Sequence, residues 1–308
     1  MRVVFMGTPA FAVPSLEGLA EAGHQLAGVF SQPDKPVGRH HNKLQPTPVK
    51  ERALVRGIPV YQPETLRDGT ALSILQELAP ELIVVAAYGR FLPDEILALP
   101  PKGCINVHSS LLPKYRGSAP INWAILNGEQ VTGVTIQRMV REMDAGDIIL
   151  QRSTPIGETE DAAALYDRLA QLGGELAVEA VAQIQAGAAT YTPQDHTQAT
   201  QAPMLSKAMS PVDWTRSAQE IFNQIRGLYP WPGASTTALT GEPIKLWGAQ
   251  VVEKHTDATP GTVIAAGKQG IDVACGDFMT LRILELQAPG KKRMSAADYL
   301  RGHPIQVL

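Results

Sequence analysis

The first half of the chain alternates two kinds of segment. Val3–Met6 is an unbroken apolar run; after Gly7-Thr8-Pro9 comes Pro14–Ala22, where Leu16, Leu19 and Ala20 recur at helical spacing. Leu26–Phe30 reads as a second strand and completes a βαβ unit. The same patterning predicts strands at Ile58–Tyr61, Leu82–Ala87, Cys104–His108, Val134–Val140 and Ile148–Arg152, and helices at Val49–Val55, Thr70–Leu78, Asp94–Leu97 and Pro120–Asn127. Runs that are apolar at every position, such as Leu82–Ala87, suit central parallel strands covered on both faces. The expected fold is α/β, with a doubly wound, mostly parallel sheet of Rossmann-like type. The turn Gly7-Thr8-Pro9 lacks the further glycines of a dinucleotide fingerprint and reads as a plain strand-to-helix turn.

Leu165, Leu169, Leu172 and Leu176 form the apolar stripe of a long helix over Thr159–Ala186, with Glu160 and Asp161 at its positive end and a weak point at Gly173-Gly174. Residues 187–202 are rich in Ala, Thr and Gln without periodicity, which suits an extended linker. Beyond Leu205 a helix at Ala218–Gly227 precedes Ile244–Trp247, Gly261–Ala265, Ile271–Ala274 and Thr280–Leu286. These are short runs between turn residues that predict a small antiparallel barrel. The expected layout is a domain over 1–189, a linker over 190–204 and a second domain over 205–308.

A length of 308 residues with 44% hydrophobic residues agrees with two domains. No apolar run approaches the ~18 residues of a membrane span, and the chain starts with a strand rather than a basic-then-apolar leader. A cytoplasmic monomer is expected, without a membrane. Cys104 and Cys275 are far apart and give neither a disulfide framework nor a thiolate zinc site. The net charge is −3, yet residues 204–308 hold 11 Lys and Arg against 9 Asp and Glu. This mild basic bias permits a nucleic-acid partner without requiring one. The segment Lys35–Lys50 carries Lys35, Arg39, Lys43 and Lys50 and no acid, and its prolines make it a loop. Adjacent His40 and His41 have no metal-ligand partner at suitable spacing, so no metal is expected.

Chemistry concentrates between Gly103 and Gly117. If Cys104–His108 is a strand, Asn106 and His108 project from one face near its C-terminal end, where open α/β sheets place ligands. An amide donor beside an imidazole suits a reaction in which an oxygen gains charge while a proton moves. A carboxylate to orient the imidazole comes from Asp144, on the turn between the strand at Gly133–Val140 and the strand returning from Asp147. A hydrolase using Ser110 is a weaker reading, because no Gly-x-Ser-x-Gly elbow is present.

Asn106-Val-His108 followed by Ser-Leu-Leu-Pro at 110–113, Arg116-Gly117, Ala119-Pro120, Gly133-Val-Thr-Ile and Met143-Asp-Ala-Gly-Asp-Ile resembles the folate-dependent formyltransferases, over nearly the whole chain. The resemblance implies formyl transfer from 10-formyltetrahydrofolate to an amine, with Asn106, His108 and Asp144 catalytic and no metal. It also implies folate contacts from Ser110, Leu111, Leu112 and Pro113, and from Tyr88, Gly89, Arg90, Phe91 and Leu92. Phe5-Met-Gly-Thr-Pro, Phe11-Ala-Val-Pro, the basic loop and Leu228-Tyr-Pro-Trp-Pro-Gly are similar to the branch whose acceptor is methionine on charged initiator tRNA. That branch implies an OB-like second domain holding tRNA, and Arg39 and Lys43 meeting its phosphates. Transfer to a small amine such as a sugar nucleotide, and a non-catalytic RNA-binding protein on the same fold, remain as alternatives. The chain departs from the branch pattern at His40-His41-Asn42 and after Ser206-Lys207.

Overall fold

The computed structural model describes residues 1–37 and 43–307, which gather into two units. The first holds Met1–Pro120, Val131–Pro155 and Tyr166–Ala202; the second holds Ile121–Gln130, Ile156–Leu165 and Pro203–Leu308.

In the first unit, β1 (Arg2–Gly7), α1 (Val13–Glu21) and β2 (Gln25–Phe30) form the expected βαβ unit. Next come β3 (Lys35–Val37), β4 (Lys43–Gln45), α2 (Pro48–Val55), β5 (Val60–Tyr61), α3 (Thr70–Leu78), β6 (Leu82–Ala86), α4 (Asp94–Leu97) and β7 (Cys104–His108). After α5 (Pro120–Leu126), which beyond Pro120 belongs to the second unit, the strands β8 (Val131–Arg138) and β9 (Ile148–Pro155) form a hairpin, followed by α6 (Ala162–Ala186), which is in the first unit from Tyr166 on. The sheet order is β5-β2-β1-β6-β7-β8-β9, parallel up to β7 and antiparallel at β7–β8 and β8–β9. The sheet is therefore mixed, with five parallel strands and an antiparallel hairpin at one edge.

The chain reverses its direction of sheet growth at β1 and β6, so the crevice outside their carboxyl ends is the topological switch point. There the Thr8 hydroxyl donates to the carbonyl of Tyr88 at 3.1 Å, joining the segments that leave the two strands. All five residues of β6 are buried, as its continuous apolar run predicts.

Three differences from the sequence reading have physical causes. β3 and β4 pair as a short antiparallel hairpin inside the segment read as a loop; neither Pro36 nor the short runs around it give a strand signal. Within that segment Lys50 is not a free cation. Its ammonium meets the Asp34 carboxylate at 2.5 Å and Gln62 at 2.7 Å, and the Gln62 and Lys50 hydrogen bonds hold Asp34 below the usual carboxylate range. α6 runs unbroken through Gly173-Gly174 because the helix needs the missing side chains. A Cβ at Gly173 would lie 2.9 Å from Val107 Cγ1, and one at Gly174 2.8 Å from the Pro14 backbone. The pair is the contact at which the helix reaches β7 and α1, and this outweighs its poor helix propensity.

In the second unit, α7 (Ala218–Gly227) is followed by β10 (Ala234–Thr236), β11 (Ile244–Val252), β12 (Val263–Gly267), β13 (Gly270–Ala274), β14 (Thr280–Gln287), β15 (Met294–Ser295) and α8 (Ala296–Gly302). The sheet is antiparallel in the order β10-β11-β14-β13-β12, with β15 on β14. Ile221, Ile225, Leu246, Ile271, Val273, Leu281 and Ile283 build its core around Trp214, whose indole N–H donates to Thr236 at 2.9 Å. α7 opens with a capping box, in which the Ser217 hydroxyl accepts from Glu220 N and the Glu220 carboxylate accepts from Ser217 N. Among the described residues no helix is long and apolar enough to cross a membrane.

Candidate active site

The antiparallel register sets Asn106 opposite Gln137 and His108 opposite Thr135, with Thr135 in turn opposite Gln151. Since side chains alternate along a strand, these five share one face of β7, β8 and β9, as the two-residue spacing of Asn106 and His108 predicts. Asn106 is half-buried and makes no side-chain hydrogen bond to the described residues, while His108 is 5% exposed. The imidazole Nε2 lies 2.9 Å from the carbonyl of Tyr115, an acceptor only, so Nε2 carries a proton and donates. That leaves Nδ1 as the edge available for chemistry, and it faces Asp144 Oδ2 at 3.6 Å.

Asp144 lies on the turn between β8 and β9 with φ of 51°, a left-handed backbone that Asp tolerates better than most side chains. Its Oδ2 accepts from the amide of Gly117 at 2.9 Å and its Oδ1 accepts from Gln137 Nε2 at 2.9 Å. Oδ2, while accepting from Gly117, is also the oxygen that faces the imidazole. The separation of 3.6 Å exceeds a direct hydrogen bond, so the two groups are near neighbours but not bonded to each other in this geometry.

Of the residues expected at a folate site, Ser110 is fully buried and its hydroxyl donates to Lys114 O at 2.7 Å. Thr135 donates to Ser110 O at 2.6 Å and accepts from Leu112 N at 3.1 Å, and Gln151 donates to Leu112 O at 2.6 Å. The turn is thus tied to the β8–β9 hairpin, which leaves the half-buried Leu111 and Pro113 to touch a ligand. A Ser110–His108 nucleophile pair is absent, since the hydroxyl serves Lys114 and Nε2 serves Tyr115. The hydrolase alternative is set aside.

Tyr88 and Leu92 are buried, Gly89 is exposed with φ of 80°, and Phe91 is 64% exposed. The Tyr88 carbonyl also accepts from Gln32 Nε2 at 3.1 Å, and the Arg90 guanidinium bonds Gln32 Oε1 at 3.0 Å and the carbonyl of Glu64. A cavity of about 550 Å³ opens beside this segment, lined by Leu66, Leu72, Phe91, Leu92 and Ile96 together with the charged Arg67, Asp94, Glu95 and Arg141. It shares Phe91 and Leu92 with the expected folate residues and Arg141 with the Asp144 turn, and it does not include the Asn106, His108 and Asp144 side chains. Arg39, His40, His41 and the Lys43 side chain lie outside the described residues. Among the described residues no cluster of His, Cys, Asp and Glu is arranged to hold a metal ion.

The sequence reading misses three residues of this site. Gln137 carries a usable signal, because it sits on the same strand face as Thr135 within an apolar strand. Arg116 stands in the Arg-Gly motif, where the pattern alone gives it no role. Gln194 carries no signal: it lies in an irregular segment 50 residues after Asp144, yet it donates to the carbonyls of Asp144 at 2.9 Å and Gly146 at 2.7 Å.

Residues 1–181 match the family described as formyl transferase, and residues 204–304 match the formyl transferase C-terminal domain. The chain is 49% identical over 306 residues to a methionyl-tRNA formyltransferase of Alkaliphilus oremlandii, covering 99% of this chain and 98% of that protein. It is 47% identical to the methionyl-tRNA formyltransferase of Bacillus subtilis, covering 99% and 96%. Two solved structures share the fold. HypX from Aquifex aeolicus in complex with tetrahydrofolic acid has a TM-score of 0.63 at 20% identity; the match spans 97% of this chain and 47% of HypX, about half its length. WlaRD, a sugar 3N-formyl transferase solved in the presence of dTDP and 5-N-formyl-THF, has a TM-score of 0.69 at 18% identity, covering 95% and 99%.

Proposed function

The chain belongs to the formyl transferase family, and from that premise we propose that it moves the formyl group of 10-formyltetrahydrofolate to the α-amino group of methionine on charged initiator tRNA. The observation that carries the chemistry is the shared face of Asn106 and His108 with the Asp144 carboxylate aimed at Nδ1. The methionyl amine attacks the formyl carbon, and a C–N bond forms as the carbonyl oxygen becomes an oxyanion. Asn106 Nδ2 donates to that oxygen, whose charge is largest in the tetrahedral intermediate, and His108 adds a second donor once Nδ1 has taken up the proton of the attacking amine. Asp144 and His108 carry the proton lost by the attacking amine to N10 of the folate, so that the old C–N10 bond breaks with a protonated leaving nitrogen. No metal takes part in this scheme.

The folate lies against Tyr88, Gly89, Arg90, Phe91 and Leu92, with the cavity beside Phe91 and Leu92 receiving part of it, and Ser110–Pro113 forming the floor. We read the C-terminal antiparallel sheet as an OB-like barrel that holds the tRNA, with 1–189, 190–204 and 205–308 as catalytic domain, linker and RNA-binding domain. Three features of the second unit support an RNA partner. Lys245 lies 5.2 Å over the Trp247 ring, Arg293 lies 5.5 Å from the Tyr229 ring, and Trp231 is half-exposed nearby in sequence. Aromatic faces interleaved with cations suit unpaired bases and phosphates. The protein works as a cytoplasmic monomer in this reading.

A sugar acceptor is the second reading, favoured by the shared fold of WlaRD over 95% of this chain. A C-terminal unit alone therefore does not discriminate between tRNA and a small amine. The experiment that does is incubation with 10-formyltetrahydrofolate and, in parallel, charged initiator tRNA, free methionine and an amino-sugar nucleotide. Formylmethionine formed on tRNA alone is the expected result. Formylation of the sugar, with none on tRNA, rejects the proposal.

A further inference from the structure

The Asp144 turn is held by a chain of side chains whose direction is forced. Arg116 is 9% exposed and a donor only; its Nε and Nη2 donate to Gln194 Oε1 at 3.2 and 2.7 Å. Gln194, 5% exposed, must therefore turn its NH2 the other way, where it meets the carbonyls of Asp144 and Gly146 and, at 3.3 Å, Gln137 Oε1. Asp144 Oδ1 can only accept, so Gln137 turns its NH2 toward it, donating at 2.9 Å, and leaves its oxygen toward Gln194. A donor-only guanidinium at one end and an acceptor-only carboxylate at the other leave each amide one orientation.

We propose that Arg116, Gln194 and Gln137 form an amide relay that positions Asp144, with Gln194 as its central positioning residue. Gln194 acts at both levels: it clamps the left-handed backbone at Asp144 and fixes the amide that aims the carboxylate. The inference rests on the proposed catalytic role of Asp144, through which all three side chains act.

Gln194→Glu is the discriminating variant. It keeps the shape and the acceptor for Arg116 but removes both donors. The carboxylate so introduced draws the NH2 of Gln137 toward itself, which presents an oxygen to Asp144 Oδ1. The expected result is kcat lowered by about tenfold or more, because small misplacements of a reacting group are costly, with an unchanged KM for the folate donor and an unchanged melting temperature. Introduced into Asp144→Ala, the same change costs nothing further, since a relay has nothing left to aim. A through-space charge effect or a general packing defect persists in that background and overturns the proposal, as does a near-wild-type kcat in Gln194→Glu. Gln137→Leu, which cuts the far end of the relay within β8, provides the same readings if Gln194→Glu does not melt cooperatively. Asp144→Ala alone separates the two levels: if it retains full activity, the catalytic reading of Asp144 fails. If it collapses while the relay variants do not, only the relay fails.

Discussion

At the scale of single residues the site depends on where charge develops. Deleting one donor to an oxyanion costs about 3 kcal/mol of barrier, or ~10² in rate. Asn106→Ala and His108→Ala should each fall by about that factor in single-turnover formyl transfer, and the double variant should lose much less than the product of the two, because both serve one transition state. Multiplicative losses would show that they act independently. Asn106 and His108 are legible because a strand has period two, so spacing alone fixes their common face. Asp144 is legible through the Met143-Asp-Ala-Gly motif together with Asn106 and His108, since Glu142 and Asp147 stand beside it and position in the turn does not single it out. How the turn is held cannot be read from the pattern. Gly146 tolerates no side chain, since a Cβ there would collide with the Arg138 carbonyl, and Gln194 reaches the turn from a segment without periodicity. The thiols behave as sequence suggests: burial pushes both Cys104 and Cys275 up to about 12. Neither should react with a soluble maleimide before unfolding, whereas rapid labelling of the native protein would contradict their burial.

At the scale of elements, competing terms decide the sign of a substitution. Gly174→Ala gains about 1 kcal/mol of helix propensity but forces a methyl to 2.8 Å from the Pro14 backbone, and overpacking of this kind costs about 1–3 kcal/mol. Backbone cannot move aside as a flexible side chain does, so Gly174→Ala should lower the denaturant midpoint at constant m-value. A raised midpoint would mean that the helix has room at this contact. Sequence patterning locates α6 but reads the glycine pair as a weakness, because periodicity shows which face is buried and not how closely it is approached. The capping box of α7 yields a pH prediction. Glu220 is held at about 2, from an ordinary 4.5, chiefly by Arg216 and then by Ser217. Its contribution is complete above 4.5 and drains away as pH falls toward about 2. The melting temperature should therefore fall across that window, and less steeply in Glu220→Gln; equal slopes in the two proteins would dismiss the effect.

At the scale of the whole molecule the question is which surface grips RNA. Cutting the chain near Ala202 is a poor test, because Ile121–Gln130 and Ile156–Leu165 belong to the second unit and would lose their partners. The Asn122 amide donates to Gly227 O at 2.8 Å, and Arg226 donates to the Glu160 carbonyl at 3.0 Å, so a truncated chain leaves buried polar groups unmet. Point variants that remove one cation each avoid this. Each phosphate contact removed lowers the slope of log affinity against log salt by about 0.7 to 0.9, whatever sequence is bound. Lys50 is already paired with Asp34, which leaves Lys35, Arg39 and Lys43 as the other cations of that segment. Arg39→Ala with Lys43→Ala should weaken use of charged tRNA and flatten the slope by about 1.4 to 1.8 if both meet phosphates, with folate binding unchanged. Lys245→Ala, on the second unit, should flatten it by a further single contact, whereas Arg293 already pairs with the Glu285 carboxylate as Lys50 does with Asp34. A slope that survives Arg39→Ala with Lys43→Ala but falls with Lys245→Ala would assign the RNA contact to the antiparallel unit, and the basic segment would then be solvated surface.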